Sequence, residues 1–154
     1  MSALRCVEVV LTIPDNEALT ALATLQRLGI AVAALERADV YCCEVDAAAA
    51  DGLVETLRTL EPVFNPNKHA LRVRDTDLPE AGELWVQERT PAPRFPTAES
   101  TVRIAGRSLP GVHRLTRAVS WRLLTAGGRP AERETVEGAM DLLCNPAFQK
   151  ATTL

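Results

Sequence analysis

The chain has 154 residues, of which 47% are hydrophobic and 24% are charged, and its formal net charge at pH 7 is −3. This composition is too apolar for a disordered chain, and the length suffices for a core without a disulfide or a metal. No run approaches 18 consecutive apolar residues, and residues 1–12 lack the charged and apolar regions of a signal peptide. We therefore expect a cytoplasmic globular protein of one domain or two small ones, without membrane association.

The cysteines give no sign of a metal site. Cys6, Cys42, Cys43 and Cys144 form no C-x-x-C pair, and the chain has only two histidines. In the cytosol we expect all four to be reduced thiols with a structural role, and we predict no metal and no cofactor.

The first half alternates between strand-like and helix-like segments. Pro14-Asp15-Asn16 supplies breaker and capping chemistry, and leucines at helical spacing follow it. In chain order, the predicted elements are a strand over 4–13, a helix over 17–28, a hairpin from 31–35 and 40–45 around Glu36-Arg37-Ala38-Asp39, a helix capped by Asp46 with a buried face of Leu53, Leu57, Leu60 and Phe64, and a strand over 71–74.

The second half repeats this plan after a polar linker over 75–83. The predicted elements are a strand over 84–89, a proline-rich loop over 90–96, a helix from Thr97 to about Ser108, a hairpin from 112–115 and 119–124, and a helix entered at Pro130 that carries Val136, Met140, Leu143 and Cys144 and ends at Asn145-Pro146.

Sliding the chain by 80 residues without gaps aligns every predicted element with its counterpart. The matched pairs include Arg27/Arg107, Val32/Val112, Leu35/Leu115, Arg37/Arg117, Asn65/Asn145 and Pro66/Pro146, and Tyr41 falls on Trp121. The order β-α-β-β-α-β within about 75 residues is that of a ferredoxin-like unit. We therefore predict an α+β protein of two tandem ferredoxin-like repeats, 1–75 and 84–154, whose antiparallel sheets carry helices on one face.

In such a unit the second face of the sheet stays open unless something covers it. This face would carry Val10, Val40 and Cys42 in the first repeat and Leu124 in the second, which is too apolar for water. Two fused repeats or two chains can cover it, so we expect protein partners or a homo-oligomer.

The second repeat resembles the PurS family, the small subunit of phosphoribosylformylglycinamidine synthase. The resemblance lies in Leu109-Pro110-Gly111-Val112 with the strand after it, and in the helix ending Leu142-Leu143-Cys144-Asn145-Pro146; Phe64-Asn65-Pro66 matches it in the first repeat. It implies small paired ferredoxin-like units without catalytic activity, which bridge the glutaminase and synthetase subunits and help ammonia pass between them. The loop 13–17 differs from the family's glycine-containing segment, so a working subunit and a free-standing PurS-like protein both stay open.

An excess of arginine marks the second half. Eight arginines and one acid, Glu99, lie between residues 89 and 129. Guanidinium groups bind phosphate and carboxylate in bidentate fashion. The candidate ligand-binding residues are Arg107, Arg114, Arg117 and Arg129, the last in Gly127-Gly128-Arg129-Pro130 at a helix start. A solvated basic face, or one complementary to the acidic first repeat, is the alternative.

Other chemistry has less support in the sequence. The six aromatic residues are scattered and the isoelectric point is about 5.4, so we expect no nucleic-acid partner. His69 and His113 have no Ser, Cys or Asp at a spacing that implies a catalytic triad. We predict a non-enzymatic protein that acts through protein–protein contacts. The alternative is a module that senses a small anionic, phosphorylated metabolite at the repeat interface.

Overall fold

The computed structural model describes residues 2–89, 103–104 and 107–154. Over these residues the chain forms three helices and eight strands, so the predicted α+β class is confirmed. In chain order the elements are β1 (Ser2–Leu11), α1 (Asn16–Arg27), β2 (Ala34–Asp46), α2 (Ala47–Arg58), β3 (His69–Arg74), β4 (Glu83–Glu88), β5 (Arg103–Ile104), β6 (Arg107–Ser108), β7 (Val112–Leu124), α3 (Arg133–Leu143) and β8 (Gln149–Thr153).

Six of these strands form one antiparallel sheet, in the order β3-β1-β2-β7-β4-β8. In the register of β4, Leu84 lies opposite Trp121 of β7 on one side and Thr153 of β8 on the other. Strands β5 and β6 form a separate two-stranded ribbon. Among the described strands, β3 and β8 are therefore the two edges of the sheet.

The chain divides into two compact units, and each unit takes segments from both halves of the sequence. Unit 1 consists of the described residues of Met1–Ile13, Val40–Asp77 and Thr90–Arg117, and unit 2 of those of Pro14–Asp39, Leu78–Arg89 and Ala118–Leu154. The long strands β2 and β7 each give one half to each unit, and α1 belongs to unit 2 whereas α2 belongs to unit 1.

Each unit has its own hydrophobic core. In unit 1, α2 packs Leu53 and Leu57 against Val7 and Val9 of β1, as predicted. Leu60 and Phe64 are also buried, but they follow the helix, which ends at Arg58, and so are not on its face as predicted. In unit 2, α1 and α3 contact each other and cover one face of the sheet. The buried side chains of that core include Leu25, Leu84, Trp121, Leu123 and Val136.

The two predicted hairpins are wrong. The segments 31–35 and 40–45 belong to a single strand, β2, and the segments 112–115 and 119–124 to a single strand, β7. The stretch 36–39 contains no Gly, Pro or Asn that would favour a reversal of the chain. Its charged residues pair instead: Arg37 with Asp15, and Glu36 with Arg122 at 4.0 Å. A reversal of the chain at residues 36–39 would separate Arg37 and Glu36 from these partners.

The predicted helix from Thr97 to Ser108 is also wrong where the structure describes it. Residues 103–104 and 107–108 form β5 and β6, with Arg103 opposite Ser108 and Ile104 opposite Arg107. A glycine at 106, between the two strands, disfavours a helix. The remainder of this segment and the whole of the proline-rich loop 90–96 lie outside the described residues.

The Leu109-Pro110-Gly111-Val112 turn fits closely against α2. Gly111 has φ +78°, and a Cβ at this position would lie 2.7 Å from the Cβ of Ala49. The backbone N–H of Asp46 donates to the carbonyl of Gly111 at 2.8 Å, and Leu109 and Val112 are buried in the core of unit 1. The turn therefore requires glycine at position 111.

Two Asn-Pro turns lead into the edge strands and have the same hydrogen-bond pattern. The carbonyl of Asn65 accepts the N–H groups of Lys68 and His69, and the carbonyl of Asn145 accepts those of Phe148 and Gln149. The second turn leads into β8, a strand that the sequence analysis did not list. The end of helix α3 at Leu143, just before Asn145-Pro146, was predicted.

The expectation of four reduced cysteines is wrong for one pair. Cys6 of β1 and Cys42 of β2 form a disulfide, with a Cα–Cα distance of 4.2 Å. This spacing is that of a directly opposed, non-hydrogen-bonded pair on neighbouring antiparallel strands, which sequence spacing cannot reveal. Cys43 and Cys144 are free and buried.

The sheet face that was expected to be bare is partly buried within the single chain. Val40 and Cys42 are buried, and Val10 and Leu124 are half-buried. Within the described ranges, no helix is long and apolar enough to cross a membrane.

Candidate functional site

The structure distributes the four candidate arginines over both units. Arg107 on β6, and Arg114 and Arg117 on β7, belong to unit 1, whereas Arg129 lies in the turn before α3 in unit 2. All four are exposed. Arg114 and Arg117 are three residues apart on one strand, so their side chains leave opposite faces of it.

Arg107 lines an open cleft in unit 1 at the end of helix α2. The cleft has a volume of about 440 Å³ and is lined by Thr59, Leu60, Glu61, Pro62 and Arg107. Helix α2 ends at Arg58, and Thr59 follows as its C-cap with its hydroxyl donating to the carbonyl of Thr56 at 2.7 Å. The cleft is large enough for a small molecule.

The electrostatics of this cleft are mixed. Arg107 offers a guanidinium that binds a carboxylate or a phosphate. Glu61 adds an acidic residue to the lining, and the C-terminal end of α2 carries partial negative charge. A ligand that suits this lining has an acidic group for Arg107 and a hydrogen-bond donor for Glu61.

Arg37 anchors the start of helix α1 in unit 2. The Asp15 carboxylate caps the helix by accepting the N–H of Ala18 at 3.1 Å, and it also receives Nε and Nη2 of Arg37 at 2.9 and 3.0 Å. Glu17 forms a further ion pair with Arg37. Burial acts to lower the pKa of Arg37, but its hydrogen bonds and ion pairs with the two carboxylates outweigh burial and raise it.

Arg37 also lies over the ring of Trp121, with its guanidinium carbon 5.8 Å from the ring centroid. In unit 1, Arg117 lies over the ring of Tyr41 in the same way, at 5.9 Å. These are the residues that the 80-residue shift places at equivalent positions, and in each unit the arginine and the ring come from different halves of the chain. Both contacts fall within the cation–π range.

The two histidines have local hydrogen-bond partners in unit 1. Nδ1 of His69 accepts the N–H of Asn65 at 2.9 Å, which places this ring in the turn before β3. Nε2 of His113 lies 2.5 Å from Oδ1 of Asp46, and both side chains are exposed. Asp46 thus contacts His113 and makes no side-chain cap bond to α2, contrary to prediction.

Glu83 is the centre of a buried polar cluster in unit 2 that the sequence analysis did not identify. Its carboxylate accepts Nε1 of Trp85 at 2.8 Å, the hydroxyl of Ser120 at 2.7 Å and Nη2 of Arg122 at 3.2 Å. Glu83 is only 1% exposed. The available signal was an acid directly before the apolar strand Leu84-Trp85-Val86.

A second buried carboxylate lies in unit 1. Glu8 of β1 pairs with Arg72 at 3.2 Å and with the buried Arg74 at 3.0 Å, both on the neighbouring strand β3. The register places Glu8 directly opposite Arg72. Both clusters pair a buried acid with arginine and hydrogen-bond donors, as buried charge requires.

Metal ligation and thiol chemistry have little basis in the described ranges. Within residues 2–89, 103–104 and 107–154, no three His, Cys, Asp or Glu side chains form a group that could hold a metal ion. Burial raises the pKa of the Cys43 thiol to about 11, so this thiol is a poor nucleophile at neutral pH.

Neither a protein-family model nor a curated protein sequence matches the chain.

Proposed function

We propose that the protein is a non-catalytic PurS-like protein that acts through protein–protein contacts and bridges subunits of a purine-biosynthetic amidotransferase complex. The observation that supports this proposal is a matched pair of cation–π contacts, Arg37 on Trp121 and Arg117 on Tyr41. The two contacts occupy equivalent positions in the 80-residue shift. An internal duplication places equivalent residues in equivalent surroundings, and this is the pattern that the PurS resemblance implies.

The arrangement of unit 2 supports a ferredoxin-like interpretation. Taken in the order β4, α1, β2, β7, α3, β8, its elements give β-α-β-β-α-β, with both helices on one face of the sheet. In this order, α1 and the first half of β2 stand where the second repeat would otherwise supply its own helix and strand. We infer that the two repeats have exchanged these elements.

The test is a reconstitution with the glutaminase and synthetase subunits of the synthase from the same organism. A bridging protein raises the glutamine-dependent synthase rate several-fold and leaves the ammonia-dependent rate unchanged, because free ammonia needs no transfer between subunits. Co-migration of the three proteins in size-exclusion chromatography is the accompanying binding measurement. Equal rates with and without the protein, and no co-migration, would contradict the proposal.

The Arg107 cleft favours a second candidate function, the sensing of a small anionic metabolite. Its volume and its arginine suit a phosphorylated or carboxylated ligand. Isothermal titration with ribose 5-phosphate and with inorganic phosphate tests this candidate. Arg107→Ala abolishes binding, whereas the matched control Arg129→Ala, in the other unit, leaves it unchanged. Equal loss in both variants would indicate a general charge effect and contradict a site at the cleft.

A further inference from the structure

Strand β8 leaves one side of its backbone without a neighbour among the described strands. It pairs with β4 alone, from Leu84 opposite Thr153 to Glu88 opposite Gln149. The N–H of Arg89 donates to the carbonyl of Phe148 at 2.7 Å. Because hydrogen-bonded and non-hydrogen-bonded pairs alternate along antiparallel strands, this bond determines which residues of β8 bond to β4. The carbonyl of Phe148 and the backbone groups of residues 150 and 152 therefore face β4, so the N–H and C=O of Ala151 and Thr153 point outward.

Large apolar side chains stand at both ends of this edge. Phe148 is 65% exposed and Leu154 is 69% exposed. Phe148 lies three residues before Ala151, and Leu154 lies three residues after it. A second β8 that runs antiparallel about Ala151 therefore places Phe148 of each copy opposite Leu154 of the other.

The outward backbone groups suit the same register. With Ala151 opposite Ala151, two N–H···O=C bonds form between the copies at the centre of the pair. The carbonyl of Gln149 accepts Nε of Arg89 at 2.9 Å and has a second lone pair for the N–H of Thr153 from the other copy. The positive charge of Lys150 lies opposite Thr152, so no like charges are directly opposed.

The other edge of the sheet differs at the equivalent positions. In the 80-residue shift, Lys68 before β3 corresponds to Phe148 before β8, and Arg74 at the end of β3 corresponds to Leu154 after β8. Lys68 and Arg72 are exposed, and lysine and arginine on an edge strand discourage pairing with another chain. A second β3 about Leu71 would place the exposed Lys68 opposite Arg74, which is buried and paired with Glu8. The same arrangement of β8 places two exposed apolar side chains opposite each other.

We propose that β8 is a self-association edge, which pairs antiparallel with β8 of a second copy about Ala151 and forms a two-fold dimer. The contact extends the sheet by its edge and buries little area, so the dimer is weak and forms at micromolar or higher concentration. This inference goes beyond the proposed function, since it concerns contact between two copies of the chain and not contact with synthase subunits.

The principal test is sedimentation equilibrium of the full chain up to about 500 μM, with a proline at the outward position. Ala151→Pro removes an N–H that β4 does not use, so the monomer tolerates it as edge strands tolerate proline. The wild type dimerises and Ala151→Pro is monomeric. The matched control Val73→Pro, at an outward position of β3, dimerises like the wild type. A monomeric wild type, or a dimer that survives Ala151→Pro, would overturn the proposal.

Two further variants address the register and the risk of misfolding. Phe148→Lys combined with Leu154→Arg gives β8 the charges of β3 and abolishes the dimer while the circular dichroism spectrum stays unchanged. Ala151→Cys cross-links the copies under oxidising conditions, because directly opposed residues lie within disulfide distance, and the control Thr152→Cys does not. Equal cross-linking of the two cysteine variants would contradict the register about Ala151.

Discussion

Asn65 and Asn145 make the same set of hydrogen bonds in two different units. In each case the side-chain Oδ1 accepts the N–H two residues ahead, at 2.9 Å in the first turn and 3.1 Å in the second. The backbone N–H of each donates to the side chain four residues ahead, which is His69 in one turn and Gln149 in the other. The two turns thus share one hydrogen-bond pattern at a spacing of 80 residues, which is what the proposed internal duplication predicts.

The bidentate ion pair between Arg37 and Asp15 provides the first prediction. Asp15→Ala removes a helix cap and a bidentate ion pair, so we expect the free energy of unfolding to fall by about 2 kcal/mol. Arg37→Ala has a similar effect, and the double variant costs less than the sum because both changes remove the same contact. Urea denaturation measures all three. The control Arg133→Ala breaks an exposed pair with Glu137 and costs about 0.5 kcal/mol or less. Strict additivity of the two single changes would contradict a shared contact.

The buried carboxylate of Glu83 provides the second prediction. Glu83→Ala leaves the hydroxyl of Ser120, the indole N–H of Trp85 and the guanidinium of Arg122 without this acceptor, so we expect a loss of about 3–5 kcal/mol in the free energy of unfolding. Glu88→Ala is the matched control on the same strand, because Glu88 is exposed and bonds only the side-chain amide of Gln149 in the described contacts. Chemical denaturation should show less than about 0.5 kcal/mol for the control. Similar losses in both variants would argue against a structural role for the Glu83 cluster.

The Cys6–Cys42 disulfide provides the third prediction. It closes a loop with a sequence separation of 36 residues, for which the chain-entropy model gives a stabilisation of about 4 kcal/mol. A phosphine reductant should therefore lower the melting temperature of the wild type and leave that of the Cys6→Ala/Cys42→Ala variant unchanged. Thiol titration of the denatured, unreduced protein should find only Cys43 and Cys144. Four titratable thiols, or a melting temperature insensitive to reductant, would contradict the disulfide.

The buried thiol of Cys43 leads us to expect a loss of folding stability at alkaline pH. Burial raises the pKa of its thiol from 9.0 to about 11, so the folded state keeps a proton that the unfolded state releases. The contribution of this thiol is complete below pH 9 and is lost as the pH rises toward 11, by roughly 2 kcal/mol. Cys43→Ala removes this part of the pH dependence, and the comparison of the two denaturation profiles isolates it. Parallel profiles from pH 8 to pH 11 would contradict burial of the thiol.

Local sequence chemistry was sufficient to predict several elements. Asp15, which follows Pro14, has the side chain of a helix cap, and α1 begins at the next residue. Helix α3 carries Val136 and Leu143 on its buried face, as the spacing predicted. These features depend on residues within a few positions of one another, which is why the sequence alone reveals them.

The path of the chain between elements depends on distant partners and was not predictable in this way. Whether 36–39 reverses or continues depends on Asp15 and Arg122, which bind Arg37 and Glu36 from other segments. The pairing of Cys6 with Cys42 likewise depends on strand register. The position of the candidate site also depends on residues that are distant in the sequence. The sequence identified Arg107 as a candidate, but its position beside the turn after α2 is a property of the fold.

The contribution of β2 and β7 to both units has a consequence for any attempt to divide the molecule. Cleavage of the peptide within 75–83 separates two fragments that each lack a helix or half-strand needed to complete either core. Expressed alone, such fragments should remain unstructured and prone to proteolysis. Mixed, they should regain cooperative melting by complementation, because each core takes segments from both halves of the sequence.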